Sequence, residues 1–273
     1  MADGETDPPH HKEAKAMTAA ARMLTDIFTI TEFELRKVFH DSSQIFVRAI
    51  QPLLWLVVFG GVFGKLRVLP GGSYNYLQFL TPGILAQSVI FIAVFYGITL
   101  VWERDLGLLH KLLSTPAPRS SIILGKTFAA GVRSILQALL IFLLALVIHV
   151  QLHIDPLSVL GVLFVIILSG MCFSSLSIVL ASLLKTRERM MGIGQAITMP
   201  LFFASSAIYP VDLMPGWLKA VAIVNPLSYT VDALRALLVT GNYSNLPRDV
   251  GVLVLAVAIL VTLAVFSFRR IIE

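Results

Sequence analysis

The chain has one cysteine, Cys172, and little charge. With no second thiol, disulfides and thiolate metal sites cannot organise the fold, and Cys172, set in an apolar run, is expected to be buried and inert. Charged residues fill only 14% of the 273 positions and apolar ones 57%, against roughly 25% and 45–50% in soluble domains. Twenty-one Lys and Arg with 16 Asp and Glu are too few to coat the surface of soluble domains of this length, which argues against a soluble enzyme. The net charge of +5 is not gathered into one patch. Basic residues recur in small groups between apolar runs, a pattern that fits orientation in a membrane and no nucleic-acid partner. A cleavable signal is also missing, because His10, His11, Lys12, Glu13 and Lys15 stand where its apolar core would be. The first span is therefore expected to act as the insertion signal.

Asp, Glu, Lys and Arg are absent from six windows, 49–64, 68–102, 134–154, 156–184, 190–211 and 250–268. With a few flanking residues each can hold a membrane helix of about 20 residues. The first would begin near Gln44 with Arg48 snorkelling to the surface. In the second, Pro70-Gly71-Gly72-Ser73 reads as a turn and Pro82-Gly83 as the helix start. Placing the N-terminus inside leaves sixteen of the 21 Lys and Arg on the inner side, as the inner-side excess of cations requires. The expected fold is an all-α polytopic membrane protein with six transmembrane helices, N-in/C-in.

Three further segments accompany the spans. Residues 1–23 are expected to be a disordered tail. Over 24–40, Leu24, Ile27, Phe28, Leu35, Val38 and Phe39 recur at helical spacing opposite Glu32, Glu34, Arg36 and Lys37, which predicts an amphipathic interfacial helix. The domain proper covers 44–270, with a cytoplasmic loop at 103–133 and an outer re-entrant helical hairpin at 212–240. That hairpin is broken at Asn225-Pro226, where Asn225 can cap a short helix carrying Pro226 in its first turn. Asp232 and Arg235 then stand three apart on one face, close enough to pair.

Chemical motifs are weak. Ser120-Ser121-Ile122-Ile123-Leu124-Gly125-Lys126-Thr127 ends like a phosphate-binding loop but lacks its first glycine and a preceding strand, so Lys126 reads as the cationic end of a helix nearing the membrane. His149 and His153 could share a helix face, but catalytic zinc needs three protein ligands, and interfacial histidines are the simpler reading. Ser169, Ser174, Ser175 and Ser177 lie in no Gly-x-Ser-x-Gly sequence, and fit close packing of helices, as do Gly60 and Gly64. No catalytic residue and no metal site is expected. The six windows also carry no charge on which an ion-coupled carrier could run, so energy is expected to arrive from outside the membrane. Its entry would be the loop 103–133, where Leu106, Leu109, Leu112 and Leu113 lie beside Glu103, Arg104, Asp105, His110 and Lys111 until Thr115-Pro116-Ala117-Pro118 ends the helix. An amphipathic helix there could dock a cytoplasmic partner.

Three blocks give the sequence a resemblance. They are Leu80-Thr81-Pro82-Gly83-Ile84-Leu85-Ala86; Glu103-Arg104 with Gly107, Leu108, Leu112, Leu113, Thr115, Pro116, Arg119 and Gly125-Lys126; and Asn225-Pro226-Leu227-Ser228-Tyr229 with Val231, Asp232, Ala233, Leu234 and Arg235. Together with the six spans they resemble the permease subunits of ABC-2 type exporters, the group of daunorubicin-resistance-type and nodulation-type lipo-oligosaccharide permeases. The resemblance implies a cytoplasmic ABC ATPase subunit on a separate chain, holding the ATP and Mg, with no cofactor on this one. It implies a second permease chain as homo- or heterodimer partner, contact with membrane lipid, and a place in the inner (plasma) membrane of a bacterium. Glu103, Arg104, Gly107, Leu112, Leu113, Pro116 and Arg119 would couple to the ATPase, and 185–190 would offer a second contact. Asn225, Pro226, Tyr229, Asp232 and Arg235 would form an outer gate. The cargo would be an amphipathic drug, a lipid or a lipid-linked glycan. Two other classes stay open: a secondary transporter, which would show inverted repeats, and an intramembrane enzyme, which needs a nucleophile facing a base across spans.

Overall fold

The computed structural model describes residues 9–40, 43–63, 75–115, 117–184 and 186–268. Pro70 to Ser73, Pro116 and Lys185 lie outside the described residues, as do the side chains of His10, His11, Val38, Phe39, Arg48 and His110. The described residues form α1 (Pro9–His40), α2 (Ser43–Phe63), α3 (Tyr76–Asp105), α4 (Leu108–Leu113), α5 (Arg119–Val147), α6 (Pro156–Leu183), α7 (Arg187–Phe203), α8 (Gly216–Val224), α9 (Pro226–Arg235) and α10 (Leu246–Ser267). A π-helix, Ala236–Thr240, continues α9. Four of these helices, α3, α5, α6 and α10, are long and apolar enough to cross a membrane. The pair made of α8 and α9 with its π extension, bent by 82°, would make a fifth. The chain is thus an all-helical membrane protein among the described residues.

Several boundaries differ from the sequence reading. The N-terminal helix begins at Pro9 rather than Leu24, and its inward face carries Ile30, Thr31 and Glu34 while Leu24, Phe28 and Phe33 are exposed. Glu34 therefore lies on the packed side, not the polar side expected for it. α3 starts at Tyr76, six residues before Pro82, with Gln78 Oε1 accepting from the Asn75 N–H at 2.9 Å to hold the first turn. Buried on all sides, α3 tolerates Pro82 inside its second turn. α5 runs over Arg119–Val147, not 134–154, and takes Lys126 and Arg133 into the helix. His149 then sits at φ +61° in a turn and His153 in extended chain, its N–H donating to Leu238 O at 2.7 Å, so the two histidines share no helix face. The fifth window yields only the 17 residues of α7, which ends soon after Pro200.

α3 is the central post, packed against α2, α5, α6, α7 and α9, and α6 fills the space between α5 and α10. An aromatic series, Trp55 with Phe59, Phe59 with Phe63, and Trp55 edge-on to Phe202, ties α2 to α7. Outward-facing Ile50, Leu54, Val57 and Val62 on α2 and Leu255, Ile259, Leu263 and Phe266 on α10 form apolar faces that suit lipid or a second chain. The serines of α6 serve packing: Ser177 Oγ donates to Val94 O and accepts from the Gly97 N–H at 3.0 Å, and Ser169 meets Thr230 Oγ1 at 3.2 Å. Cys172 is fully buried.

The crossing of α5 and α6 depends on two missing side chains. A Cβ on Gly170 would lie 2.7 Å from Gly131 Cα, and one on Gly131 would lie 2.7 Å from Ile167 O, both backbone atoms with nowhere to move. Gly170→Leu is therefore expected to force the helices apart at a cost of about 1–3 kcal/mol or more. A lowered thermal midpoint in detergent checks this, with Gly251→Leu, which meets open space, as the neutral control.

Candidate functional site

Two polar clusters stand at the two ends of α3. At its C-terminal end the Lys126 ammonium, 1% exposed, contacts Glu34 Oε1 of α1 and, at 2.7 Å, Glu103 Oε2 of α3. Lys37 completes the set, with Nζ 2.6 Å from Glu103 Oε1 and 3.2 Å from Glu34 Oε1. Two acids and two lysines from three helices thus neutralise one another. Gly125 permits the approach, since a Cβ there would lie 2.9 Å from Ile30 Cβ, and Thr31 Oγ1 donates to Gly125 O at 3.2 Å. Burial alone would raise the Glu34 carboxyl, but the ammonium groups of Lys126 and Lys37 outweigh it and hold the group below the usual carboxylate value.

The expected amphipathic helix from Glu103 is divided. Glu103 and Arg104 end α3, and Gly107, at φ +71°, turns the chain into α4 with its N–H on Arg104 O at 3.0 Å. A side chain at that φ would be strained, which explains the glycine. Leu112 and Leu113 lie half-buried against the core beside Leu109, whereas Leu106 and Leu108 stay exposed. Arg119 is exposed at the first turn of α5. Asp105 accepts from Arg104 Nη2 at 2.9 Å and Arg187 Nε at 3.3 Å, and the Arg187 guanidinium lies 4.7 Å over the Trp102 ring. The start of α7 is thereby fixed to the α3–α4 turn. Sequence reasoning gave Glu34, Lys37, Lys126 and Trp102 no part here, although it paired Gly125 with Lys126, and it held Arg187 only within the expected second contact at 185–190. Residues 120–127 are one stretch of helix, so they cannot cradle a phosphate.

At the other end, the structure brings the hairpin residues together. Asn225, 2% exposed, accepts from the Leu227 N–H at 3.0 Å and donates to Leu201 O at 2.7 Å and Ala204 O at 3.1 Å. It caps α9, with Pro226 at the first helical position, and also occupies carbonyls left open by the end of α7. Tyr229 reaches back to donate to Ile223 O at 2.6 Å, closing the 82° bend. Asp232 Oδ1 accepts from Ser206 Oγ at 2.7 Å and Arg235 Nη1 at 3.0 Å. Arg235 also donates to Ser206 O at 2.7 Å and stacks 3.9 Å from the Phe79 ring centroid. Phe79 and Glu103 are 24 residues apart on α3, or about 36 Å of helix, slightly more than the hydrocarbon thickness of a bilayer.

Removing Lys126 from the buried ion set leaves two buried carboxylates with only the half-exposed Lys37 between them. Lys126→Met is expected to cost about 3–5 kcal/mol, read as a shifted denaturant midpoint, and adding Glu34→Gln and Glu103→Gln should recover part of it. Because the folded-state value of Glu34 lies below its unfolded 4.5, its contribution is complete above pH 4.5 and is lost as pH falls further through the folded value. Acid melts of wild type and Glu34→Gln should therefore converge.

Comparisons with known proteins supply the family. Residues 25–239 match the ABC-2 type transporter family. The chain is 35% identical over 191 residues to the ycf38 transport permease of Cyanophora paradoxa, covering 69% of this chain and 65% of that relative, just under two thirds of its length. It is 26% identical over 199 residues to the daunorubicin resistance ABC transporter permease protein DrrB1 of Streptomyces coeruleorubidus, covering 73% of this chain and 70% of the other. With nodulation protein J of Rhizobium leguminosarum bv. trifolii the identity is 28% over 222 residues, 81% of this chain and 83% of that one. The family match runs from residue 25, within α1, to residue 239, in the π-helix, and the chain therefore belongs to the ABC-2 type transporter family, in which these relatives are named as transport permeases.

Proposed function

We propose that this chain is the transmembrane subunit of an ATP-driven exporter, working as a permease pair with separate cytoplasmic ATPase subunits that hold the ATP and Mg. Six spans, α2, α3, α5, α6, α7 and α10, run N-in/C-in in the inner membrane of a bacterium, and α8 and α9 dip in from outside. The cargo is an amphipathic drug, a lipid or a lipid-linked glycan, in keeping with relatives named for daunorubicin resistance and nodulation. One observation carries this reading. The exposed Leu106 and Leu108 flank a turn that Glu103 and Asp105 tie to α1, α5 and α7, so a push on that turn reaches three other helices. Glu103, Arg104, Gly107, Leu112, Leu113, Pro116 and Arg119 form and support the contact. Asn225, Pro226, Tyr229, Asp232 and Arg235 hold the hairpin over the exit.

Two leucines facing an ATPase surface contribute about 1.5–3 kcal/mol each when covered. Leu106→Glu with Leu108→Glu is thus expected to lower transport per ATP hydrolysed at least several-fold while the melting of the permease stays unchanged, measured in vesicles holding the complex. Normal coupling in that double variant would sink the docking assignment. The orientation is checked by single cysteines in a Cys172→Ala background: an impermeant reagent applied to intact cells should label Asn242→Cys and leave Ser114→Cys and Thr186→Cys untouched. At the hairpin, Arg235→Lys keeps the charge but loses the planar fork and the stack on Phe79, so export should fall while pairing of the permeases persists on gel filtration.

A further inference from the structure

A pocket of about 370 Å³ opens between the bend of the hairpin, the π-helix and the start of α10. Its walls include Ser228, Tyr229, Asp232, Arg235, Asn245 and Asp249. Three of these groups are already engaged, Arg235 with Asp232, Ser206 O and Phe79, and the Tyr229 hydroxyl with Ile223 O, while Asn245 is exposed at the start of α10. Two are neither. Asp249 is only 6% exposed, yet among the described residues no Lys or Arg nitrogen comes within ion-pair distance of its carboxylate and no hydrogen bond reaches it. Ser228 is 5% exposed, and its Oγ has no hydrogen-bond partner.

A carboxylate in the first turn of a helix complements the positive helix end, and that alone would account for an acid at position 249. It does not account for burying it, nor for an unpartnered hydroxyl in the same wall. Leaving the hydroxyl without a partner, and the carboxylate sheltered with only the exposed Arg248 to offset its charge, is costly, so the arrangement calls for a ligand that brings donors and positive charge. We propose that this pocket binds an organic ammonium group. A compact cation can be served by the Asp249 carboxylate and the side-chain oxygen of Asn245, with Ser228 in the same wall and the Tyr229 ring beside it. A neutral polyol would supply hydrogen bonds but leave the charge of Asp249 uncompensated. An anion would be repelled by Asp249 and Asp232, since Arg235 is already committed and Arg248 is exposed. As a statement about the head group of the cargo, this rests on the exporter reading; as a binding site, it does not.

The test uses the full chain in phosphatidylcholine nanodiscs without nucleotide, with labelled n-hexylammonium followed by equilibrium dialysis against empty nanodiscs. Saturable binding is expected, weakened at least about tenfold by Asp249→Asn and about threefold by Ser228→Ala, and retained in part by Asp249→Glu. Neither methyl glucoside nor hexyl sulfate should displace it. Wild-type binding by a folded Asp249→Asn chain would overturn the site, as would displacement by methyl glucoside, which would make it a sugar pocket. If Asp249→Asn fails to fold, unchanged binding by Ser228→Ala overturns it instead. Loss of ATP-driven export with ammonium binding intact would count against the exporter reading alone.

Discussion

Lys126 is held between Glu34 and Glu103 at a depth where water does not reach it, and that contact fixes how the inner half of the bundle is assembled. A lone ammonium in such a place would cost several kcal/mol, and a single acid would leave its remaining protons unserved. The second acid comes from α1, so the lysine can be buried only if α1 lies across α5 at Gly125. Lys37 then balances the second carboxylate and brings the count to two charges of each sign. Apolar residues of like volume could give similar stability, but they would not dictate which turn of α1 meets which turn of α5. The ionic set supplies register to a contact that is otherwise a slide of one smooth helix over another.

From this contact the role of α3 follows. It is buried on every side and carries no charge between Phe79 and Trp102, so it cannot pass a signal along itself by moving protons or exchanging ion partners. Its two ends, however, are each bound into a polar cluster, one with α1, α5 and α7, the other with α9 and the turn after α7. α7 is shared between them through Arg187 at one end and Asn225 at the other. Within the proposed exporter, a displacement at the α3–α4 turn must therefore reach the hairpin as a rigid movement of α3 and α7.

Much of this was legible in the sequence, and each failure has a physical cause. Charge-free windows located α2, α6 and α10 closely, because lipid and apolar neighbours tolerate no unpaired ion, and Asn225-Pro226 marked the break in the hairpin through capping chemistry that is local. The same rule misplaced α5, since a search that stops at every cation cannot know that Lys126 finds an acid 92 residues earlier. Glu34 was put on the wrong face of α1 for the same reason. Pro82 looked like a helix start because proline disfavours helix interiors in water, whereas inside a bundle its missing hydrogen bond is tolerated. The spacing of His149 and His153 suggested a shared face only while a helix was assumed there.

The outer cluster differs from the inner one in what it leaves open. Inside, every charged group of the set meets a partner, and the result is a fixed joint. Outside, Asp232 is matched to Arg235 and the Ser206 hydroxyl and Arg235 to backbone carbonyls, yet among the described residues Ser228 and Asp249 line the adjoining pocket without hydrogen-bond partners. A fully satisfied network resists rearrangement, while a partly satisfied one gains by admitting a further group. The hairpin end of the bundle is therefore the end where, among the described residues, polar groups around a pocket stay open to a further group.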